Sequence, residues 1–199
     1  MRQASFLHKT MATTPHLENT SVTAVSGEHP LRRIRIEKVT LNFGAGANQA
    51  RLETGMKLIK LVGGKDPVKT VAHGRIPAWS IRPGLPIGCK ITLRGARAEE
   101  LLKRLFQAID TTLSPNCFDD QGNFSFGIKE YINIPGVKYD PEIGILGFDV
   151  AVTLTRPGYR IARRTFLRRT ISHRHRITKD EARTFVTTTY GLRLAGDEQ

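Results

Sequence analysis

Long apolar runs are the first thing this chain lacks. No stretch approaches the ~18 consecutive apolar residues that a membrane-spanning helix needs, and residues 1–29 scatter polar side chains where a secretory signal would carry an apolar run of about 7–15 residues. Neither insertion into a membrane nor export is expected. Cysteine is scarce as well. Cys89 and Cys117 stand far apart and outside any C-x-x-C pair, which removes the usual zinc and dithiol motifs, so both thiols are expected to be structural. Acidic side chains are few: 18 Asp and Glu stand against 31 Lys and Arg, a formal charge of +13 on 199 residues. That excess points to a polyanionic partner. Aromatic residues make up 7% and tryptophan occurs once, at Trp79.

The chain is nonetheless 39% hydrophobic, sufficient for one sizeable core. Residues 1–29 are rich in Thr, Ser and His and poor in large aliphatics, and they are expected to form a mobile tail. From residue 30 to 199, strand-like and helix-like segments alternate without repetition, which predicts a single α+β domain.

Apolar alternation over residues 33–43 predicts a first strand, with a one-residue phase shift at Glu37-Lys38 that a bulge would produce. Leu52, Met56, Ile59 and Val62 lie on one helical stripe that ends at Gly63-Gly64, where a left-handed cap is easy. The clearest strand covers residues 87–94: Ile87, Cys89, Ile91 and Leu93 face one way, and Gly88, Lys90, Thr92 and Arg94 the other. A helix over 96–113 follows, with Leu101, Leu102, Leu105, Phe106, Ile109 and Leu113 on its apolar face. Residues 124–134 and 148–155 read as two more strands between turn-forming clusters. Thr178 with Glu181 makes a capping box for a C-terminal helix closed by Gly191.

Two acid-free segments concentrate the positive charge. Residues 156–179 hold Arg156, Arg160, Arg163, Arg164, Arg168, Arg169, Arg174, Arg176 and Lys179. Arginine dominates, and its planar fork suits phosphate oxygens and base edges. A nucleic-acid contact therefore outweighs a solvated basic loop. His173 and His175 sit inside this run, where repulsion disfavours a metal, and phosphate contact is the better reading for them. Residues 67–98 carry Lys69, His73, Arg75, Arg82, Lys90, Arg94, Arg97 and Trp79. The pieces Ile76-Pro77, Arg82-Pro83-Gly84 and Leu85-Pro86 predict an irregular, functional loop in the middle. Trp79 there either stacks on a base or anchors the loop as a partly buried side chain.

Enzyme-like patterns are weak. Gly44-Ala45-Gly46 starts like a dinucleotide fingerprint, but Gln49 stands at the third glycine position and no Gly-Lys-Ser/Thr follows. Glu99-Glu100 and Asp119-Asp120 fall at a helix start and in a turn, where dipole and turn roles explain them. No catalytic constellation, metal site or cofactor site emerges.

The segment Pro86-Ile87-Gly88-Cys89-Lys90-Ile91-Thr92-Leu93-Arg94-Gly95 resembles the signature of the large-subunit ribosomal protein L-five family. Ile36-Glu37-Lys38-Val39-Thr40-Leu41-Asn42 upstream and Asn123-Phe124-Ser125-Phe126-Gly127-Ile128-Lys129-Glu130 downstream resemble it in the same order, and the similarity extends over roughly residues 30–192. Arg156-Pro157-Gly158-Tyr159-Arg160, the arginine block and Ile177-Thr178-Lys179-Asp180-Glu181-Ala182 are similar to its archaeal and eukaryotic branch. The resemblance implies an antiparallel sheet with helices on one face, and a cytoplasmic, non-catalytic constituent of the large ribosomal subunit. The sheet's open face would hold 5S rRNA in the central protuberance. It also implies that Asn42, Thr92 and Arg94, with Lys90 beside them, contact 5S rRNA. Residues 70–88, with Arg75, Trp79 and Arg82, would reach P-site tRNA, and the arginine block would meet large-subunit rRNA. A small-subunit head protein would be a further partner across an inter-subunit bridge. Two departures stand out: Gly63-Gly64-Lys65-Asp66-Pro67 lacks the glutamine of the family's Gly-Gln-Lys-Pro, and Ala72-His73-Gly74 with Pro77 makes the tRNA-facing loop less cationic. The rival readings are an extra-ribosomal RNA chaperone of the same fold and, more remotely, a nucleotide-dependent enzyme built on Gly44-Ala45-Gly46.

Overall fold

A computed structural model of the chain describes residues 29–195; the segment 1–28, read above as part of a tail, lies outside the described residues. In chain order the elements are β1 (Arg35–Gly44), α1 (Gln49–Gly63), β2 (Val68–Val71), β3 (Pro86–Leu93), α2 (Ala96–Gln107), β4 (Thr112–Leu113), β5 (Phe124–Ile128), β6 (Phe148–Thr155), α3 (Lys179–Tyr190) and β7 (Arg193–Leu194). Five strands form an antiparallel sheet in the order β2-β3-β1-β6-β5, and β4 and β7 make a small parallel pair. The fold class is α+β, as the alternation and the resemblance both implied.

Alternation along the strands gives the sheet one apolar and one polar face. Val39, Leu41 and Phe43 of β1, Cys89, Ile91 and Leu93 of β3, and Val150, Val152 and Leu154 of β6 are all buried, and they share one core with Leu52, Leu58 and Ile59 of α1 and Leu101, Leu102 and Leu105 of α2. The anticipated shift at Glu37-Lys38 is present: β1 slips register against β6 between Ile36 and Lys38. Without that extra residue the apolar set of β1 would face solvent on one side of the bulge.

Helix α1 lies close on the sheet because Gly55 has no side chain. A Cβ there would overlap the Phe43 ring. Gly64 ends the helix in the left-handed region, its N–H donating to the Lys60 carbonyl, which satisfies one of the orphan carbonyls of the last turn. Both sides of the Thr178–Glu181 capping box are formed, and Gly191 closes α3 with φ 65°. Cys89 is fully buried in the core, and burial pushes its thiol pKa up; Cys117 is also a free thiol.

Three boundaries differ from expectation. Helix α2 stops at Gln107 instead of continuing to Leu113, because Asp110 and Thr111 take left-handed conformations (φ 54° and 55°) and Leu113 then pairs with Leu194. Asp and Thr are poor helix formers that bond readily to nearby backbone. The residues 124–134 do not form one strand. β5 ends at Ile128, and Tyr131, fully buried, turns inward so that its hydroxyl accepts from the Asp140 N–H at 2.9 Å. Residues 70–88 are not an irregular loop. Val68–Val71 pairs with β3, Ala72 and Leu85 continue the pairing, and Ile76 and Ile81 exchange backbone hydrogen bonds at 3.0 and 3.1 Å. The prolines are accommodated where their missing N–H costs least: Pro77 starts a single 3₁₀ turn, Pro83 lies in a turn, and Pro86 opens β3.

Candidate nucleic-acid interface

The helices cover one face of the large sheet, and the opposite face carries the polar half of each strand's alternation. Cross-strand partners share a face, so the register defines rows running across it. Val68, Lys90, Asn42, Asp149 and Gly127 form one row, and Thr92, Thr40, Ala151 and Ser125 the next. Arg94 follows the last residue of β3 directly and is tied to β1 through Glu37, while Lys38 lies two residues before Thr40 on β1. The floor of this face is thus made of small side chains, Thr, Ala, Ser and Gly, flanked by Lys38, Lys90 and Arg94. Asn42, Lys90, Thr92 and Arg94 are all exposed on it, so the structure brings together the four residues singled out on β1 and β3.

Glu37 organises the edge of this face. Displaced by the bulge, its carboxylate binds Arg94 Nη1 at 3.0 Å and Arg163 Nη2 at 2.6 Å, with a further short contact to Arg163 Nη1. Burial alone would raise the Glu37 pKa, but hydrogen bonds and charge from Arg163 and Arg94 outweigh it and hold the carboxyl below its ordinary value. Glu37 therefore stays ionised and fixes one arginine from the signature strand and one from the arginine block at the same edge.

The arginine block is folded on itself. The Tyr159 hydroxyl donates to the His175 carbonyl at 3.2 Å and accepts from the Ile177 N–H at 3.0 Å. His175 stacks edge-on against Tyr159 and places Nε2 2.9 Å from the Pro157 carbonyl, so His175 serves the loop and not a phosphate. Arg156 requires a larger correction. It is 3% exposed and donates to the carbonyls of Arg32, His175 and Arg176 and to the carboxylate of Glu181. It staples the entry of β1, the block and α3 together, and its fork has no reach to an external ligand. Burial by itself would raise the Glu181 pKa; the Thr178 backbone N–H and Arg156 overcome that and lower it. Arg160, Arg164, Arg168, Arg169, Arg174 and Arg176 are exposed.

At the tip of the β2–β3 hairpin, Arg75 and Arg82 are exposed and Trp79 is 68% exposed, which removes the reading of Trp79 as a partly buried anchor. The Gly44-Ala45-Gly46 turn does not present donors to a nucleotide: the N–H groups of Ala45 and Gly46 both bond the Ile87 carbonyl, at 2.9 and 3.0 Å. Among the described residues no helix is long and apolar enough to cross a membrane.

Sequence reasoning missed Glu37, Lys38, Thr40 and Asp149. Thr40 and Asp149 carried a signal, since they alternate with core residues of β1 and β6. Glu37 and Lys38 were marked only by the phase shift read as a bulge, which does not say that the Glu37 carboxylate meets Arg94 and Arg163.

Fold and face define a class: an α+β protein whose helices back one side of an antiparallel sheet and leave the other side open, with Lys38, Lys90 and Arg94 beside small polar residues, and without a metal-binding cluster among the described residues. Comparison with known proteins names the family. The model for the C-terminus of the ribosomal L5 family matches residues 86–185. "Large ribosomal subunit protein uL5" of Nanoarchaeum equitans is 52% identical over 77% of this chain and 91% of its own length. The proteins of the same name from Sulfurisphaera tokodaii and Methanococcus aeolicus are 44% and 45% identical, each over 94% of its length and over 83% and 84% of this chain. The chain belongs to the ribosomal L5 family and is of the archaeal type, and the family is structural, not enzymatic.

Proposed function

We propose that the chain is a cytoplasmic constituent of the large ribosomal subunit that binds 5S rRNA through the open face of its sheet and helps to seat it in the central protuberance. The observation that carries this reading is the floor of small polar residues around Thr40 and Thr92, bordered by Asn42, Lys90 and Arg94. The minor groove of A-form RNA is wide and shallow and displays ribose 2′-hydroxyls, so a flat surface of hydroxyl and amide groups can approach it closely. Thr92 and Asn42 donate and accept toward 2′-hydroxyls, and Arg94 bridges two acceptors. The bulge and Glu37 hold Arg94 in place before RNA arrives, which lowers the ordering cost of binding.

The hairpin tip with Arg75, Trp79 and Arg82 is assigned to P-site tRNA, with the exposed indole available for stacking. The arginine block, without Arg156, is assigned to large-subunit rRNA. A small-subunit head protein completes the partners, across an inter-subunit bridge.

The test is a gel-shift titration of the full chain with 5S rRNA against a tRNA control at two salt concentrations. Wild type is expected to prefer 5S rRNA, and Asn42→Ala, Thr92→Ala and Arg94→Ala are each expected to lose about 1–3 kcal/mol of that preference. Equal, purely salt-driven binding of both RNAs would refute the reading. Sedimentation of the protein away from large subunits would favour an extra-ribosomal RNA chaperone instead.

A further inference from the structure

The sharpest exposed apolar feature among the described residues lies inside the most basic segment. Phe166 is 78% exposed and Leu167 62%, and they stand between Arg163-Arg164 and Arg168-Arg169. Leu167 has φ 49°, a conformation that branched side chains seldom adopt and that surrounding contacts must impose. Those contacts are present: Arg164 Nε donates to the Leu167 carbonyl at 2.9 Å, the Arg169 N–H donates to the Ile161 carbonyl at 3.2 Å, and Arg163 is held by Glu37. The turn is therefore fixed with its aromatic ring turned outward. Immediately before it, Gly158, Arg160, Ile161 and Arg164 line an open cleft of about 440 Å³. Arg164 joins the two features, lining the cleft and bonding the turn that carries Phe166.

A ring displayed among arginines is poorly placed to bind another cationic or neutral surface and well placed for a nucleotide, in which a flat π-face and a phosphate lie about one sugar apart. We propose that residues 158–169 form a clamp for one unstacked nucleotide of RNA: its base lies on the Phe166 ring and its phosphate sits in the cleft between Arg160 and Arg164. Stacking does not depend on base identity, so the clamp reads the presence of a splayed nucleotide and not its sequence. The inference rests on the RNA-binding reading above, but it uses a surface separate from the sheet face.

The test titrates the full chain with a single-stranded RNA dodecamer carrying a central 2-aminopurine, and with its blunt duplex, at two salt concentrations. Phe166→Ala is expected to weaken single-strand binding about 5- to 150-fold, the effect of losing one base stack. Its duplex affinity and salt dependence should stay those of wild type, and Phe166→Trp should retain binding. Arg164→Gln is expected to flatten the single-strand log-log salt slope by about 0.7, one phosphate contact. The exposure of Phe166 makes its loss harmless to folding, which an unchanged urea midpoint would verify. Single-strand affinity unaffected by Phe166→Ala, or an equal loss on duplex, overturns the clamp; in the first case the ring faces a protein neighbour. If Asn42→Ala still abolishes 5S preference in that event, the 5S reading stands alone, whereas a wild-type chain that binds no RNA at all sinks both.

Discussion

Replacing Arg156 by Met should unfold this protein more readily without removing an RNA contact. The side chain is 3% exposed and makes four hydrogen bonds, to three backbone carbonyls and to Glu181. Methionine fills a similar volume, so the loss is electrostatic and not a cavity. Breaking a buried pair by deleting one partner costs about 3–5 kcal/mol, chiefly because the remaining charge is left uncompensated. Here the Glu181 side chain is 38% exposed and can recover water, which places the expected loss near the lower end, about 3 kcal/mol. For a chain of this size that corresponds to a fall in Tm of about 6–12 °C. Urea unfolding followed by circular dichroism measures it, with an unchanged slope showing that the folded and unfolded states are otherwise alike. Arg156→Lys should recover part of the loss, since one ammonium cannot serve acceptors on three segments. A variant with wild-type stability and a salt slope of RNA binding flattened by about 0.7–0.9 would refute this reasoning and return Arg156 to the RNA interface.

Three further outcomes are expected. Glu37→Gln removes the carboxylate that holds Arg94 and Arg163, so it should strengthen salt-dependent binding to RNA in general while narrowing the difference between 5S rRNA and tRNA in the same gel-shift titration. The depressed pKa values of Glu37 and Glu181 mean that their contributions to stability are complete above the ordinary carboxylate value of about 4.3 and are lost as pH falls through the lowered ones; Tyr190, pushed up to about 12 by burial, favours the folded state fully below about 10 and loses that contribution as pH rises through 12. Urea midpoints across pH should show both limbs, and Glu37→Gln with Glu181→Gln should flatten the acid one. Gly55→Ala gains about 1 kcal/mol of helix propensity but drives a methyl into the Phe43 ring, at a cost of about 1–3 kcal/mol; the net effect on the urea midpoint should be destabilising.

Much of the fold is legible along the chain because its signals are local. The phase shift at Glu37-Lys38 appears as the observed register slip, the alternation of residues 87–94 as the two faces of β3, and Thr178 with Glu181 as a formed capping box. Where expectation failed, the competing information was remote. Leu113 fits the helical stripe of α2 but is claimed by a strand from the far end of the chain, and the prolines of the β2–β3 connection hide a hairpin whose pairing spans many residues. For the candidate interface, alternation already places Asn42, Thr92 and Arg94 on polar faces of their own strands. It does not say that those faces are one.

Composition and spacing by themselves determined the positive charge, the α+β class, the strand faces and the helix caps, since each follows from chemistry within a few residues. The tertiary structure decided which cations remain available to a ligand. Arg156 looks like its neighbours along the chain, yet burial and four internal hydrogen bonds make it a structural staple, while Arg94 and Arg163, far apart in the chain, meet on one carboxylate. Whether an arginine serves the fold or a partner depends on the groups that surround it in space, and most of those come from distant parts of the chain.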